Sequence, residues 1–146
     1  MVDKASFVVS IVGAGQMGRG ICQSFAMSGY TVQLMDVNSD TLKAGKQFIE
    51  NQLLKGESKG KWDREFVQDT LEKITLVEST DGLSNSNLVI EAATENKNLK
   101  VKIFESLDKV VDESCILATN TSSISITELA ANVSHPQRFV GMHFMN

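Results

Sequence analysis

Three glycines near the start of the chain have a spacing that is typical of phosphate binding. The segment Gly13-Ala14-Gly15-Gln16-Met17-Gly18 follows the apolar run Phe7–Val12 and precedes residues with helical periodicity. In a strand–loop–helix unit of this kind, the first glycine permits a tight turn, the second lets the backbone approach a pyrophosphate, and the third lets helix and strand pack closely. Backbone N–H groups at the helix start, among them those of Gln16 and Met17, then face the phosphates. The pattern predicts a dinucleotide site.

An acidic residue at the end of the next apolar run completes this pattern. Asp36 follows Thr31–Met35 and lies 18 positions after Gly18. Its carboxylate can accept hydrogen bonds from a ribose hydroxyl, and its negative charge would repel a 2′-phosphate. These residues therefore predict NAD, rather than NADP, as the cofactor.

Apolar runs alternate with stretches of helical spacing along the whole chain. Further strands are predicted at Ile74–Val77, Leu88–Ala92, Cys115–Ala118 and Arg138–Phe144. Parallel neighbours require crossover connections, so this alternation predicts an α/β fold with a doubly wound, mostly parallel sheet.

Capping residues mark the predicted helices between these strands. Asn38 caps a helix that is broken in the Lys-rich segment Lys55–Lys61, and Asp63 caps the next one, with Trp62 packing onto Val67. These two helices form an excursion after the second strand. Ser125 and Glu128 have the spacing of a capping box. One face of a later helix is predicted to be formed by Leu99, Ile103, Leu107 and Val110.

The predicted topology also indicates where a ligand would bind. In open α/β sheets, ligands lie outside the carboxyl ends of the strands, where the strand order reverses. Gly13, Asp36, Asn120 and His143 each fall at or just past the end of a predicted strand. We therefore expect these four residues to lie along one edge of the sheet.

Composition excludes several classes of protein. The chain has 146 residues, 42% of them hydrophobic, and a net charge of -4 with no basic run, which argues against nucleic-acid binding. No uncharged stretch is apolar enough for a membrane span, and the N-terminus lacks the pattern of a signal peptide, so we expect a cytoplasmic protein. Cys22 and Cys115 lie in separate apolar segments and are predicted to be small buried hydrophobes; no metal site is predicted.

Further motifs occur in a fixed order after the glycine loop and Asp36. They are Glu91-Ala92 with Glu95 and Lys100, Asn120-Thr121-Ser122-Ser123-Ile124-Ser125-Ile126, and Arg138-Phe139-Val140-Gly141-Met142-His143-Phe144. With these motifs, essentially the whole chain resembles the amino-terminal domain of the L-3-hydroxyacyl-CoA dehydrogenases, including bacterial 3-hydroxybutyryl-CoA dehydrogenases. The Asn-Thr-Ser-Ser and Gly-Met-His-Phe segments are the most discriminating.

The resemblance implies a role for each matching residue. It makes His143 the catalytic histidine and places Ser122 beside the nicotinamide and the substrate oxygen. It brings Lys55–Lys61 to the region where the family's helical excursion meets coenzyme A. The residues expected to bind the cofactor are Gly13, Gly15, Gln16, Met17, Gly18, Asp36, Glu95, Lys100, Asn120, Ser122 and Asn146.

The implied reaction is hydride transfer between NAD and C3 of an acyl-CoA such as 3-hydroxybutyryl-CoA, which is oxidised to acetoacetyl-CoA. A histidine suits this chemistry because it can take up and return the hydroxyl proton near neutral pH. Residues 1–146 correspond to the NAD-binding domain alone. Family members continue with a glutamate that pairs with the histidine and with a helical second domain that provides dimer contacts. We therefore expect weak or no activity from this chain and a homo-oligomeric parent protein.

Other interpretations of the same residues stay open. The chain could be a stand-alone NAD-binding module without turnover, or part of a related dehydrogenase for another 3-hydroxy acid or a sugar acid. Glu95 and Lys100 could be exposed charges on a helix, and Lys55–Lys61 could be a solvated loop.

Overall fold

Strands and helices alternate along the chain as the sequence predicts. The structure is a computed structural model that describes residues 3–121 and 124–144. Within these ranges the strands are β1 (Val8–Val12), β2 (Thr31–Met35), β3 (Ile74–Val77), β4 (Leu88–Glu91), β5 (Ile116–Thr119) and β6 (Phe139–Gly141). The α-helices are α1 (Gln16–Met27), α2 (Ser39–Ser58), α3 (Arg64–Glu72), α4 (Lys97–Val110) and α5 (Ile126–Ala130).

The strands form one sheet in the order β3-β2-β1-β4-β5-β6, and every pair in it is parallel. One face of the sheet packs in a core with α1, α2 and α3, and the other face packs with α4 and α5. This is the doubly wound order of dinucleotide-binding folds, so the predicted fold class is confirmed. The strand order reverses between β1 and β4, where Val12 is in register with Glu91.

The helical excursion after β2 is confirmed, and its first helix ends within the segment Lys55–Lys61, as predicted. Asn38 accepts the Thr41 N–H and Asp63 accepts the Phe66 N–H, as capping residues do. The helix α2 runs on to Ser58 and ends before Gly60, which has a φ of 76°. Near the end of this helix, Gly56 allows a close approach of Trp62, because a Cβ there would lie 2.1 Å from the Trp62 ring.

The predicted buried face of α4 is confirmed for Leu107 and wrong for Leu99. Leu99 is 47% exposed, whereas the helix also buries Lys100 and Phe104. Phe104 takes the position toward the sheet because its ring packs edge-on against Phe139, with the ring centroids 4.7 Å apart. No helix among the described residues is both long and apolar enough to cross a membrane.

Candidate cofactor and catalytic site

The glycine loop after β1 is shaped by two close backbone contacts. Gly13 has a φ of 108°, and a Cβ on it would lie 2.6 Å from the Cα of Ala93. A Cβ on Gly18 would lie 1.6 Å from the carbonyl oxygen of Gly13. Both positions therefore require glycine, the first for its backbone conformation and the second for the contact between α1 and the loop.

The start of α1 can accommodate an anion. Gly15 is the N-cap of this helix and provides no side-chain cap, and the first turn carries no acidic residue. A Cβ on Gly15 would meet no atom within 4 Å, so the space in front of the loop is open. The first N–H groups of a helix lack intrahelical partners and attract negative charge. The loop therefore fits the pyrophosphate of a dinucleotide.

Asp36 lies beside the glycine loop and is hydrogen-bonded to it. Its Oδ2 accepts the Ala14 N–H at 2.9 Å, and its Oδ1 accepts the Asn38 N–H at 2.9 Å. An ionised carboxylate has about four acceptor sites, so each oxygen can still accept another hydrogen bond. The predicted role toward a ribose hydroxyl is compatible with this geometry.

Asp36 also lines a cavity of about 410 Å³ whose walls are mainly apolar. Val37, which is 80% exposed, and Leu99 lie at this cavity together with Ile103. Exposed apolar side chains beside a carboxylate suit a ligand with a flat apolar ring and a hydroxylated sugar. The outward position of Leu99, which breaks the predicted core face, thereby gives the cavity one of its walls.

A second cavity, of about 270 Å³, brings together residues that the sequence analysis selected separately. Ala93 lines both this cavity and the one at Asp36, so the two are adjacent along the carboxyl edge of the sheet. The site residues that line the second cavity are Met17, Glu95, Lys100, Asn120 and His143.

The segment that carries His143 is held by the end of β5. The Met142 N–H donates to the Thr119 carbonyl at 2.9 Å, and the Phe144 N–H donates to Asn120 Oδ1 at 3.0 Å. The predicted strand Arg138–Phe144 is therefore shorter in the structure, because the chain leaves the sheet after Gly141. Asn120 thus positions the backbone next to His143, and the His143 side chain stays exposed.

Glu95 and Lys100 have different environments. Glu95 is exposed, lies in the loop before α4, and accepts the Thr121 hydroxyl at 3.2 Å. Lys100 is only 1% exposed, and its Nζ lies 2.6 Å from Glu91 Oε1. The interpretation of Lys100 as an exposed helix charge is therefore wrong.

Sequence analysis missed the buried network around Glu91. This carboxylate accepts hydrogen bonds from Lys100 Nζ, from Thr119 Oγ1 at 2.8 Å and from the Ala93 N–H at 2.8 Å. A signal for it exists in the sequence, since Glu91 ends an apolar strand and Lys100 has helical spacing with Phe104 and Leu107. A lysine on an apolar helix face indicates a buried acidic partner.

A third cavity, of about 290 Å³, lies in the helical excursion. Its lining includes Lys55, Lys59, Lys61 and Trp62. Trp62 is fixed there because its Nε1 donates to the Leu53 carbonyl at 2.7 Å.

Two predicted site residues, Ser122 and Asn146, lie outside the described residues.

Comparison with known proteins assigns the family. Residues 8–146 match the sequence model of a family described as 3-hydroxyacyl-CoA dehydrogenase, NAD binding domain. The chain belongs to this family. It is an NAD-binding domain of the 3-hydroxyacyl-CoA dehydrogenase type, which confirms the resemblance and the predicted cofactor.

Individual relatives are similar over nearly the whole chain. A probable 3-hydroxybutyryl-CoA dehydrogenase of Bacillus subtilis is 40% identical over 94% of this chain and 48% of its own length. The 3-hydroxybutyryl-CoA dehydrogenase of Bradyrhizobium diazoefficiens is 44% identical over 94% of this chain and 47% of its own length. The crystal structure of (S)-3-hydroxybutyryl-CoA dehydrogenase from Ralstonia eutropha superposes with a TM-score of 0.92 at 44% identity, covering 95% of this chain and 49% of that one. The chain thus spans about half the length of these relatives.

Proposed function

We propose that this chain is the NAD-binding half of a cytoplasmic 3-hydroxyacyl-CoA dehydrogenase that moves a hydride between NAD and C3 of an acyl-CoA, with 3-hydroxybutyryl-CoA as the favoured substrate. The observation that carries the proposal is the adjacency of the two cavities. Asp36 lines one, His143 lines the other, and Ala93 lines both. A dinucleotide bound along this edge would place its adenosine at Asp36 and its nicotinamide near the histidine.

The residues of the first cavity bind and orient the adenosine half. Asp36 would accept hydrogen bonds from the ribose hydroxyls, and the side chains of Val37 and Leu99 would cover the adenine. The N–H groups at the start of α1, among Gly15, Gln16 and Met17, would hold the pyrophosphate. When bound, NAD supplies the hydride acceptor, and the protein supplies binding and orientation.

The residues of the second cavity act on the substrate oxygen. His143 takes the proton of the 3-hydroxyl group as the hydride leaves C3, and returns it in the reverse reaction. From the family resemblance, Ser122 would lie beside the substrate oxygen and the nicotinamide, and Asn146 would bind the cofactor. Glu95 and Lys100 complete the wall of this cavity, and Asn120 keeps the histidine segment in place through the Phe144 N–H.

The lysine cavity of the excursion would hold the phosphates of coenzyme A. Lys55, Lys59 and Lys61 bring three positive charges to one polar cavity, and ammonium groups bind phosphate as point charges. Trp62, the only tryptophan in the chain, lies in the same cavity and gives a direct optical signal. Coenzyme A should quench the Trp62 fluorescence. Lys59→Gln should raise the coenzyme A concentration needed for quenching, whereas substitution of the exposed Lys43 on α2, Lys43→Gln, should not.

The test of the proposed function combines binding and turnover. NADH binding to the 146-residue chain is measured by cofactor fluorescence, and acetoacetyl-CoA-dependent NADH oxidation is followed at several enzyme concentrations. We expect NADH to bind, and His143→Gln to bind it equally well. Any slow turnover should disappear in His143→Gln, because general acid–base catalysis contributes about 10²–10⁴-fold.

The outcomes separate the alternatives. Failure of the wild-type chain to bind NADH contradicts the proposal altogether. Binding without turnover, also after addition of the carboxy-terminal half of a relative, favours a binding module. Turnover that survives in His143→Gln rules out the histidine as the acid–base group.

A further inference from the structure

We propose that Glu91 is a positioning residue that fixes the backbone at Ala93, which lies between the cavity lined by Asp36 and the cavity lined by His143. The inference rests on the proposed function, because it concerns how one ligand can occupy both cavities at once. Glu91 itself lines neither cavity, so it acts on them through Ala93, which lines both.

Glu91 is completely buried at the point where the strand order of the sheet reverses. Its two carboxylate oxygens have different partners. Oε1 accepts from Lys100 Nζ at 2.6 Å and from Thr119 Oγ1 at 2.8 Å, which ties it to α4 and to the end of β5. Oε2 accepts the Ala93 N–H at 2.8 Å, which ties it to the loop after β4. One oxygen is therefore anchored in the core, and the other holds the loop.

The loop that Glu91 holds is also packed against the glycine loop. A Cβ on Gly13 would lie 2.6 Å from the Cα of Ala93 and 2.8 Å from the carbonyl group of Ala92. Ala93 therefore packs close to the Gly13 backbone, and its hydrogen bond to Glu91 opposes movement away from it. Since Ala93 lines both cavities, its position sets the distance between them.

The substitution Glu91→Gln separates the two functions of the carboxylate. A glutamine side chain has one acceptor oxygen and one donor NH₂ group. The Lys100 ammonium and the Thr119 hydroxyl both donate to the same position, so the amide oxygen takes it and the NH₂ group is left facing the Ala93 N–H. Two N–H donors that face each other cannot form a hydrogen bond, so the loop at Ala93 loses its attachment. The hydrogen bond from Lys100 remains.

Thr119→Val is the matched control. Thr119 is fully buried and lines neither of the two cavities, and valine has nearly the same shape. This variant removes one hydrogen bond from the same carboxylate and leaves the Ala93 N–H bonded. Circular dichroism and melting temperature establish that both variants fold.

The experiment compares a ligand that spans both cavities with one that fills only the first. NADH and AMP affinities are measured for the wild-type chain, Glu91→Gln and Thr119→Val. For Glu91→Gln we expect the Kd of NADH to rise about tenfold, the scale of one lost hydrogen bond to a charged group, and the Kd of AMP to change less than twofold. Thr119→Val should change neither Kd by more than twofold.

Two results would overturn the inference: NADH binding by Glu91→Gln as tight as that of the wild type, or equal losses for NADH and AMP, which would indicate general damage. Amide exchange in the wild-type chain gives a test that needs no variant. The Ala93 amide, although its residue is exposed, should exchange at least tenfold more slowly than an unstructured alanine; unprotected exchange contradicts the link to Glu91. A wild-type chain that binds no NADH would instead contradict the proposed function.

Discussion

Asp36 Oδ2 accepts the backbone N–H of Ala14 at 2.9 Å, so the residue that ends the second strand also fixes the loop after the first. The other carboxylate oxygen accepts the Asn38 N–H. The side chain thus occupies two backbone donors in the folded protein. Its role in the cofactor site is therefore twofold: it orients the glycine loop and it presents negative charge to the ribose.

Replacement of Asp36 by alanine should affect both roles. We expect NADH to bind about tenfold more weakly, because the ribose loses a charged acceptor and the loop loses its tie. The preference for NADH over NADPH should fall, since the repulsion of a 2′-phosphate disappears and two N–H donors are freed. Fluorescence titrations with both cofactors measure this ratio. Asp40→Ala, an acidic residue in the first turn of α2, is the control; an unchanged ratio in Asp36→Ala would remove Asp36 from the ribose site.

Gly18 and Gly20 both lie on α1, and their substitution by alanine should change the stability in opposite directions. Gly18→Ala would place a methyl group 1.6 Å from the Gly13 carbonyl oxygen, so we expect a loss of stability of several kcal/mol and loss of NADH binding. Gly20→Ala meets no atom within 4 Å and should stabilise the protein by about 0.5–1 kcal/mol, as alanine does in a helix interior. Urea unfolding measures both values. A Gly18→Ala variant with normal stability would show that helix and loop are less closely packed than the structure has them.

The free energy of unfolding should depend on pH through Asp108. Burial alone would raise the pKa of Asp108, but hydrogen bonds from the Ser134 hydroxyl and N–H and from Arg138 outweigh it, and the pKa is lowered. A lowered carboxyl pKa stabilises the fold above the ordinary aspartate pKa of about 3.9, and this contribution is lost as the pH falls through the folded-state pKa.

Asp108→Asn should therefore lower the free energy of unfolding at pH 7 by about 1–3 kcal/mol, since the buried Arg138 loses its charged partner and keeps only hydrogen bonds to backbone carbonyl oxygens. The difference from the wild type should shrink at acid pH. Urea unfolding at pH 7 and below pH 3 tests this, with the exposed Glu105→Gln on the same helix as the control. A difference that is constant with pH would mean that the carboxylate charge has no part in it.

Both cysteines should be unreactive in the folded protein. Burial raises the pKa of the Cys22 thiol to about 12 and that of Cys115 to about 11, so almost no thiolate is present at pH 8. A disulfide reagent should titrate neither thiol in the native chain and both in denaturant. Rapid reaction of one thiol without denaturant would show that its segment opens. The sequence prediction of two buried, apolar cysteines is confirmed by their positions.

Local signals in the sequence predicted most of the fold because they act over a few residues. The glycine loop, the Asn38 and Asp63 caps and the parallel alternation each follow from neighbouring side chains and appear as predicted. The prediction for Leu99 on α4 was wrong because periodicity counts apolar residues, whereas the buried position beside it is taken by Lys100, whose partner Glu91 lies on β4. Such a pair depends on two residues nine positions apart that meet across a loop.

The site was predictable to the same extent. From the predicted strand ends, Asp36 and His143 were expected along one edge of the sheet, and the structure confirms this position. The hydrogen bond from Phe144 to Asn120 joins segments 24 positions apart, and no short-range pattern reports it. Ser122 and Asn146 remain predictions from the family resemblance.

The edge-to-face contact between Phe25 on α1 and Phe144, with ring centroids 6.1 Å apart, has a consequence for the order of folding. It closes a loop of more than a hundred residues, and contacts of such long sequence separation form late, because the chain entropy of closure has to be overcome first. The segment that carries His143 should therefore dock after β1, α1 and β2 have assembled. In a refolding chain, the histidine segment should therefore become ordered in a later kinetic phase than β1, α1 and β2.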